Sequence, residues 1–308
     1  MCSCAGNISR YRPEPLNGLP LRHTLDDVPF FPQADYQCGP AALAMTLAWS
    51  GLAVTPETLT ASVYTPAIKG SIQPAMIGAA RRFGRIAYII SAPEELIAEI
   101  AAGRPVIVLQ NLGLSWYPVW HYAVAIGYDS KAGYMLLHSG KIPRKRMPLK
   151  LFNRTWARSD YWGMMTIPPN MIPATATEAD FVESVFGLEQ AGRRQAALEG
   201  YQTALTRWPA NLAAGIGLAN VYYAMGNLPA AEHALRETIR HIPESGAAYN
   251  NLAQVLWEQG RGPEALNAAR TAVRLGGGRI DLYQETLTEI QKGLGLQPSE
   301  GNLPALDE

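Results

Sequence analysis

Cys38 is the residue whose type and position are best suited to chemistry. It is followed by a glycine and a proline, and then by an apolar run, residues 41–49, that ends at Gly51. Proline early and glycine late are typical of a helix. A cysteine at the start of a helix meets exposed backbone N–H groups and the positive end of the helix dipole, and both favour a thiolate. The segment therefore predicts a cysteine nucleophile.

Two more residues have side chains that could assist such a nucleophile. Gln33 lies five residues before Cys38, and its amide could help to bind an oxyanion. His121 opens an apolar run 83 residues after the cysteine, distant in sequence but able to lie beside it in space. The alternatives are a buried structural thiol for Cys38 and a satisfied core histidine for His121.

An aromatic segment precedes His121. Trp116, Tyr117 and Trp120 lie in a predicted loop directly before the histidine. We interpret them as lining a substrate cleft, and ordinary core packing is the alternative.

The motifs around these residues resemble those of the C39 peptidase family. These are papain-fold proteases known from bacteriocin-export transporters and from free-standing C39-like proteins. The matching segments are Gln33, Cys38-Gly39-Pro40-Ala41-Ala42-Leu43-Ala44 and His121-Tyr122-Ala123-Val124, and the resemblance covers roughly residues 25–168. It implies that Cys38 is the nucleophile, that His121 is the general base and that Gln33 supplies the oxyanion-hole side chain.

The sequence departs from the family pattern at two places. The glutamine usually lies six residues before the cysteine, so Gln37 is a weaker competitor for the role of Gln33. The family's third residue is an aspartate after the His strand, where this chain has Leu136-Leu137-His138-Ser139-Gly140. We predict that His138 accepts a hydrogen bond from the Nδ1–H of His121 and fixes its tautomer. Asp129, the nearby acid, lies at the wrong end of the predicted strand.

No cofactor is predicted for this site. Cys38, His121 and His138 have the atom types of zinc ligands, but no two of them have close helical spacing. We therefore expect no metal.

The segment that carries these motifs mixes helices with strands, which predicts an α+β domain. The resemblance implies that this domain is a papain-like cysteine peptidase. The predicted helices cover residues 41–49, 71–82 and 93–102, and the predicted strands cover 85–90, 106–109, 122–128, 134–138 and 162–167. A five-residue connection that contains Gly133 indicates a hairpin between the third and fourth of these strands.

The second half of the chain repeats itself. Gly192, Gly226 and Gly260 are 34 residues apart, and three alanines, Ala197, Ala231 and Ala265, keep the same spacing. A 34-residue period with small residues at the helix turn is that of the tetratricopeptide repeat. We predict an all-α solenoid of about three repeats over residues 176–277, closed by a capping helix over 279–294.

The predicted domain boundaries follow from these patterns and from prolines near residue 170. They are an N-terminal tail (1–25), a C39-like peptidase domain (26–168), a linker (169–177), a tetratricopeptide-repeat domain (178–296) and a C-terminal tail (297–308).

Composition limits the functions that need to be considered. The 308 residues are 48% hydrophobic and 17% charged, enough to build a core. The net charge of zero argues against nucleic acid as a partner, because phosphate binding needs an excess of cations. No apolar stretch reaches about 18 residues, so no transmembrane segment is predicted.

The three cysteines cannot form a complete disulfide framework, and two of them lie in the first four residues. Cys2, followed by small residues, resembles the start of a bacterial lipoprotein after removal of a signal peptide, although no apolar signal precedes it. We expect a lipid anchor at Cys2 and a bacterial cell-envelope, periplasmic location. A tail with incidental Cys2 and Cys4 in a cytoplasmic protein is the alternative.

These features together predict a cysteine peptidase whose repeat domain recruits a peptide or protein substrate, or a protein partner. The replaced aspartate favours one alternative, an inactive or weak peptidase fold that acts as an adaptor. A thiol acyltransferase that uses the same cysteine is the other.

Overall fold

The structure is a computed structural model, and it describes residues 18–296. Contacts between Cα atoms divide the chain into two compact units, one ending at Asp180 and the other beginning at Phe181. The predicted lipid anchor at Cys2 and the neighbouring Cys4 lie outside the described residues. Between residues 18 and 296, no helix is long and apolar enough to cross a membrane.

The first unit has the predicted α+β architecture. Its strands are β1 (Arg22–Thr24), β2 (Tyr64–Thr65), β3 (Gly70–Ser71), β4 (Ile86–Ile90), β5 (Val106–Asn111), β6 (Trp120–Asp129), β7 (Tyr134–Ser139), β8 (Ile142–Pro148) and β9 (Gly163–Ile167). Its helices are α1 (Cys38–Trp49), α2 (Pro56–Val63), α3 (Gln73–Arg82), α4 (Pro93–Ala101) and α5 (Leu149–Trp156).

Seven of the strands form one antiparallel sheet. The order is β4-β9-β5-β6-β7-β8, and β1 pairs in addition with β6. The long strand β6 therefore lies inside the sheet, between β5 and β7. The short strands β2 and β3 form a separate hairpin.

Helix α1 packs against one face of this sheet. Every residue from Gly39 to Leu47 is buried, because the helix is apolar on all sides. From β6, Tyr122, Val124 and Ile126 belong to the same core. Side chains alternate between the two faces of a strand, so His121 lies on the face opposite to these three residues.

The segment after β9 is held down by a buried carboxylate. Glu99 of α4 is fully buried and accepts hydrogen bonds from the backbone N–H (2.7 Å) and the hydroxyl (2.6 Å) of Thr175. Arg104 forms a 3.2 Å ion pair with Glu99 and also donates to the carbonyl of Ile172 (3.0 Å). The predicted linker residues 172–175 are therefore fixed to α4.

Helices follow one another from residue 178 to residue 293, as the 34-residue period predicts. They are α6 (Glu178–Gln190), α7 (Arg194–Arg207), α8 (Leu212–Ala224), α9 (Leu228–His241), α10 (Gly246–Glu258), α11 (Gly262–Leu275) and α12 (Ile280–Gly293). The second unit begins within α6. Gly192, Gly226 and Gly260 each have a positive φ, 70°, 75° and 75°, so the recurring glycine makes the same left-handed turn between paired helices.

Small residues in the repeats allow close helix packing. A Cβ added to Gly217 of α8 would lie 2.4 Å from the ring of Tyr201 on α7. A Cβ added to Gly200 would similarly meet Val185 at 2.8 Å. These two glycines therefore allow α7 to approach α6 and α8 closely.

Six strands and helices of the first unit were missed by the sequence analysis: β1, which lies within the predicted N-terminal tail, and β2, β3, α2, β8 and α5. Strand β8 reads Ile-Pro-Arg-Lys-Arg-Met-Pro, and only Met147 in it is buried. It is an edge strand, so its charged side chains reach solvent and the apolar alternation of a half-buried strand is absent.

Candidate active site

Cys38 is the first residue of α1, and its side chain is partly buried. Burial is the largest influence on the thiol and raises its pKa above the ordinary value. Hydrogen bonds from the backbone of Tyr122, Gly39 and Cys38 itself act in the opposite sense and lower the pKa less than burial raises it. The resting thiol is therefore protonated, which differs from the expectation that the helix start would give a thiolate.

The hydrogen bond with Tyr122 locates the thiol in the fold. A backbone group that lowers the pKa of a thiol is an N–H that donates to its sulfur, so the N–H of Tyr122 points at Cys38. Because Tyr122 directly follows His121, the sulfur lies beside the start of β6. Within residues 18–296 no hydrogen bond joins the sulfur to the His121 ring; such contacts commonly tighten only when substrate binds.

His121 is held by a serine. Its Nε2 lies 2.9 Å from the hydroxyl oxygen of Ser139, a buried residue at the end of β7. Burial is the main cause that lowers the pKa of His121 to about 4, and the positive charge of Lys145 adds to the effect. The imidazole is therefore neutral at pH 7 and can accept a proton.

His138 forms no hydrogen bond with His121, contrary to the sequence prediction. Its Nδ1 accepts a hydrogen bond from the backbone N–H of Arg144 (3.2 Å), and its Nε2 donates to the carbonyl of Val28 (3.2 Å). Both ring nitrogens are thus occupied by backbone groups, and burial lowers the pKa of this imidazole as well. The ring also packs against Phe30, with centroids 5.2 Å apart.

The reason for this difference is the alternation of side chains along β7. His138 pairs in register with Val124, whose side chain faces α1. The neighbouring residue, Ser139, must face the other side of the sheet, where His121 lies. The alternation of side chains along the strand could have identified Ser139 from the sequence. A residue that orients His121 has to lie on the same face of the sheet as His121, and Ser139 does whereas His138 does not.

The two candidate oxyanion glutamines have different surroundings. The side-chain oxygen of Gln37 accepts a hydrogen bond from the hydroxyl of Thr60 on α2 (3.2 Å). The backbone N–H of Gln33 donates to the carbonyl of Gly140 (3.2 Å), directly after Ser139, whereas no hydrogen bond within residues 18–296 engages its side chain. The structure thus brings Gln33 to the β7–β8 turn and leaves its amide available.

Gly39 sets the distance between α1 and its neighbours at the thiol. A Cβ at this position would lie 2.3 Å from the hydroxyl oxygen and 2.5 Å from the Cβ of Ser71. The carbonyl of Ser71 accepts a 3.4 Å hydrogen bond from the hydroxyl of Tyr122. Only glycine after Cys38 allows the helix to start this close to Ser71 and to β6.

The aromatic residues before His121 form a hairpin that projects into solvent. Trp116, Tyr117 and Trp120 are 79%, 69% and 49% exposed, so they are not core residues. Leu114 and Tyr117 close the tip through a β-bridge, and Leu114 is 52% exposed as well.

The base of this hairpin is fixed by polar contacts. The buried side chain of Asn111 accepts hydrogen bonds from the backbone N–H groups of Gly113 and Val119, both at 3.0 Å. Arg158 donates to the carbonyls of Asn111 (3.1 Å) and Gly113. Polar contacts therefore hold the base of the hairpin, while the rings of Trp116 and Tyr117 lie against each other with centroids 6.3 Å apart.

Burial of His121 predicts an acid-sensitive stability. The folded pKa of about 4 lies below the ordinary 6.5, so the unfolded chain binds a proton first, and the stabilisation present above pH 6.5 is lost as pH falls towards 4. The free energy of unfolding should fall between pH 7 and pH 5 in the unmodified chain. In His121→Gln this fall should be smaller by about 2 kcal/mol, because glutamine does not titrate. Urea unfolding at the two pH values measures this, and equal losses in both chains would contradict it.

Comparison with known proteins agrees with both halves of this description. The model described as the Peptidase C39 like family matches residues 25–161. A tetratricopeptide-repeat model matches residues 216–280. Residues 25–161 are therefore similar to the C39-like peptidase family and residues 216–280 to tetratricopeptide repeats, as the sequence motifs predicted. No curated protein sequence matches this chain.

Solved structures with some similarity fall into the same two groups. A C39-like peptidase from Bacillus anthracis is 18% identical with a TM-score of 0.41, covering 47% of this chain and 97% of its own. The first tetratricopeptide-repeat domain of Spaghetti, bound to an HSP90 peptide, is 15% identical with a TM-score of 0.35, covering 38% and 93%. The secretion chaperone SycD of Yersinia enterocolitica is 18% identical with a TM-score of 0.36, covering 41% and 91%.

Proposed function

We propose that the first unit is a cysteine peptidase with Cys38 as nucleophile and His121 as general base. The observation that carries this proposal is the position of the Cys38 thiol. The thiol lies at the first turn of α1 and accepts a hydrogen bond from the backbone N–H of Tyr122, the residue that follows His121. A buried structural cysteine has no need of such an arrangement.

The protonation states suggest how the reaction proceeds. The neutral imidazole of His121 takes the thiol proton as the sulfur attacks the peptide carbonyl, and the resulting oxyanion is bound by the Gln33 amide and the Cys38 N–H. His121 then gives its proton to the leaving amine, and an acyl–sulfur bond remains. Water attacks this thioester with His121 again as base, which releases the carboxylate and the thiol.

The two glutamines offer a matched test of the oxyanion assignment. Gln33→Ala should lower kcat by about 10²–10³-fold, the usual cost of losing one oxyanion donor. Gln37→Ala should leave kcat nearly unchanged, because its side chain is bound to Thr60. Steady-state kinetics of both variants on one peptide decides between them, and a larger loss for Gln37→Ala would reverse the assignment.

The exposed hairpin is proposed as one wall of the substrate cleft. The segment with Trp116, Tyr117 and Trp120 directly precedes His121 in the chain. Large exposed aromatic side chains are typical of binding surfaces.

Tetratricopeptide repeats commonly bind proteins on an extended concave surface, so we propose that the second unit recruits a protein partner or the substrate itself. A lipid anchor at Cys2 and an envelope location remain part of this proposal.

A thiol-reactive peptide probe combined with substrate profiling tests the proposal. The full-length chain, prepared without lipid attachment so that Cys2 has a free thiol, is treated with a peptidyl vinyl sulfone. The labelled cysteine is identified by mass spectrometry, with Cys2 and Cys4 as internal reference thiols. A parallel sample is incubated with a mixed peptide library. We expect labelling at Cys38 above the reference thiols and cleavage that prior labelling abolishes. Uniform labelling without any cleavage would exclude a peptidase.

An adaptor without peptidase activity is the second candidate. The observation that favours it is that Ser139, not an acid, contacts His121. An adaptor would bind library peptides at the first unit without cleaving them, and Cys38→Ala would bind them equally well.

A further inference from the structure

We infer that Ser139 is the positioning residue of His121, and that the site therefore operates with an uncharged thiol–imidazole pair instead of an ion pair. The inference rests on the proposed function for the identity of the reacting groups. Beyond that proposal, it names the residue that orients His121 and states that the thiol and the imidazole are both uncharged before substrate binds.

The geometry that carries the inference is the contact between the ends of two neighbouring strands. The Ser139 hydroxyl lies 2.9 Å from Nε2 of His121, and Ser139 is 5% exposed. A hydroxyl has one donor and two acceptor positions, so it can hold either neutral tautomer and can also accept from the imidazolium. It fixes the ring without contributing charge, and it leaves Nδ1 as the nitrogen that exchanges a proton with the thiol.

The groups that face His121 from the surrounding elements contain no acid. Strand β5 presents Gln110, which pairs in register with His121 and is buried. Strand β8 presents Lys145 on the face of Ser139, because Lys145 pairs with Leu137, two residues before Ser139. The thiol of Cys38, at the start of helix α1, lies beside the backbone N–H of Tyr122, the residue that follows His121. Within residues 18–296 no carboxylate forms an ion pair with His121, and Lys145 brings a like charge.

This arrangement disfavours the imidazolium before reaction. A carboxylate at position 139 would stabilise the imidazolium by charge, and the imidazolium would in turn stabilise the Cys38 thiolate. A serine provides a single neutral hydrogen bond. The sulfur therefore loses its proton only during attack, and the reactivity of the resting thiol follows its own ionisation.

The pH dependence of thiol alkylation tests the inference without requiring a peptide substrate. Iodoacetamide rates are measured on the full chain without lipid attached, from pH 5 to pH 9, and mass spectrometry resolves the rates of Cys38, Cys2 and Cys4. In the unmodified chain the Cys38 rate should rise about tenfold per pH unit over the range in which the thiol is protonated. A plateau at low pH would overturn the inference, because it reports a preformed ion pair.

Variants then separate charge from packing. In Ser139→Asp the pKa of His121 should rise by about 1–3 units, and the Cys38 rate at pH 6 should rise at least about tenfold while the rates of Cys2 and Cys4 stay constant. Ser139→Thr should keep the unmodified profile, since it keeps the hydroxyl. Lys145→Met, which removes the like charge, should raise the pKa of His121 in a folded chain whether or not Ser139→Asp folds.

NMR titration of the His121 ring measures these pKa values directly. An unchanged His121 pKa in both Ser139→Asp and Lys145→Met would contradict the inference. Failure of the proposed function is recognised separately, since the absence of peptide cleavage leaves the alkylation profile and the ring titration measurable.

Discussion

Cys38→Ala is expected to lower kcat/KM for peptide hydrolysis by about 10⁴-fold or more, and His121→Ala by a similar factor. The thiol forms the covalent acyl intermediate, so no other group can replace it. The imidazole removes the proton of a thiol whose pKa burial raises, so without His121 very little thiolate is available at pH 7. Since the two residues act as a unit, the double variant should lose no more activity than either single variant.

The measurement is kcat/KM of the three variants on one peptide found by substrate profiling. Circular dichroism and thermal unfolding of each variant serve as controls for the fold. Cys2→Ala and Cys4→Ala are the matched cysteine controls and should keep full activity. Additive losses, with the double variant near the product of the single factors, would show that Cys38 and His121 do not act in the same step.

Arg104→Met is expected to lower the free energy of unfolding of the first unit by about 3–5 kcal/mol. Arg104 forms the ion pair with Glu99, whose side chain is fully buried. Removing the cation leaves a buried carboxylate without its counter-charge, and this is far more costly than losing the net contribution of the pair. The carbonyl of Ile172 also loses its donor.

A double variant isolates the charge effect. Glu99→Gln in the Arg104→Met background keeps an oxygen that can accept from the N–H and hydroxyl of Thr175, and it removes the charge. We expect it to recover most of the lost stability. Urea unfolding of the four chains in the cycle measures this, and a double variant less stable than Arg104→Met would contradict the explanation.

The architecture was predictable where burial or repetition leaves a mark on the residue types. The strands β5, β6 and β9 are almost wholly buried, so they appear as short apolar runs between turn residues. The repeat helices were recognisable because the same small residues must recur wherever two helices approach closely. Strand β8 and helix α5 have few buried residues and gave no comparable pattern.

The site was predictable only in part, for a physical reason. The position of Cys38 at a helix start is a local property, and the sequence predicted it correctly. Which residue contacts His121 depends on the face of a neighbouring strand, and a shift of one residue from His138 to Ser139 exchanges the two faces. The balance between burial and backbone hydrogen bonds at the thiol depends on tertiary packing, which no local motif contains.

The charged strand β8 has a consequence for the behaviour of the protein at high concentration. It ends the sheet, so one row of its backbone N–H and C=O groups has no neighbouring strand within that sheet. Such an edge can pair with the edge of another molecule and start aggregation, and lysine, arginine and proline on the edge oppose this. Strand β8 carries three cationic side chains that repel a second copy of the edge, on Arg144, Lys145 and Arg146. Pro143 and Pro148 have no backbone N–H, so they cannot donate a hydrogen bond to another strand. The same composition that conceals β8 from sequence analysis thus keeps separate molecules from joining their sheets.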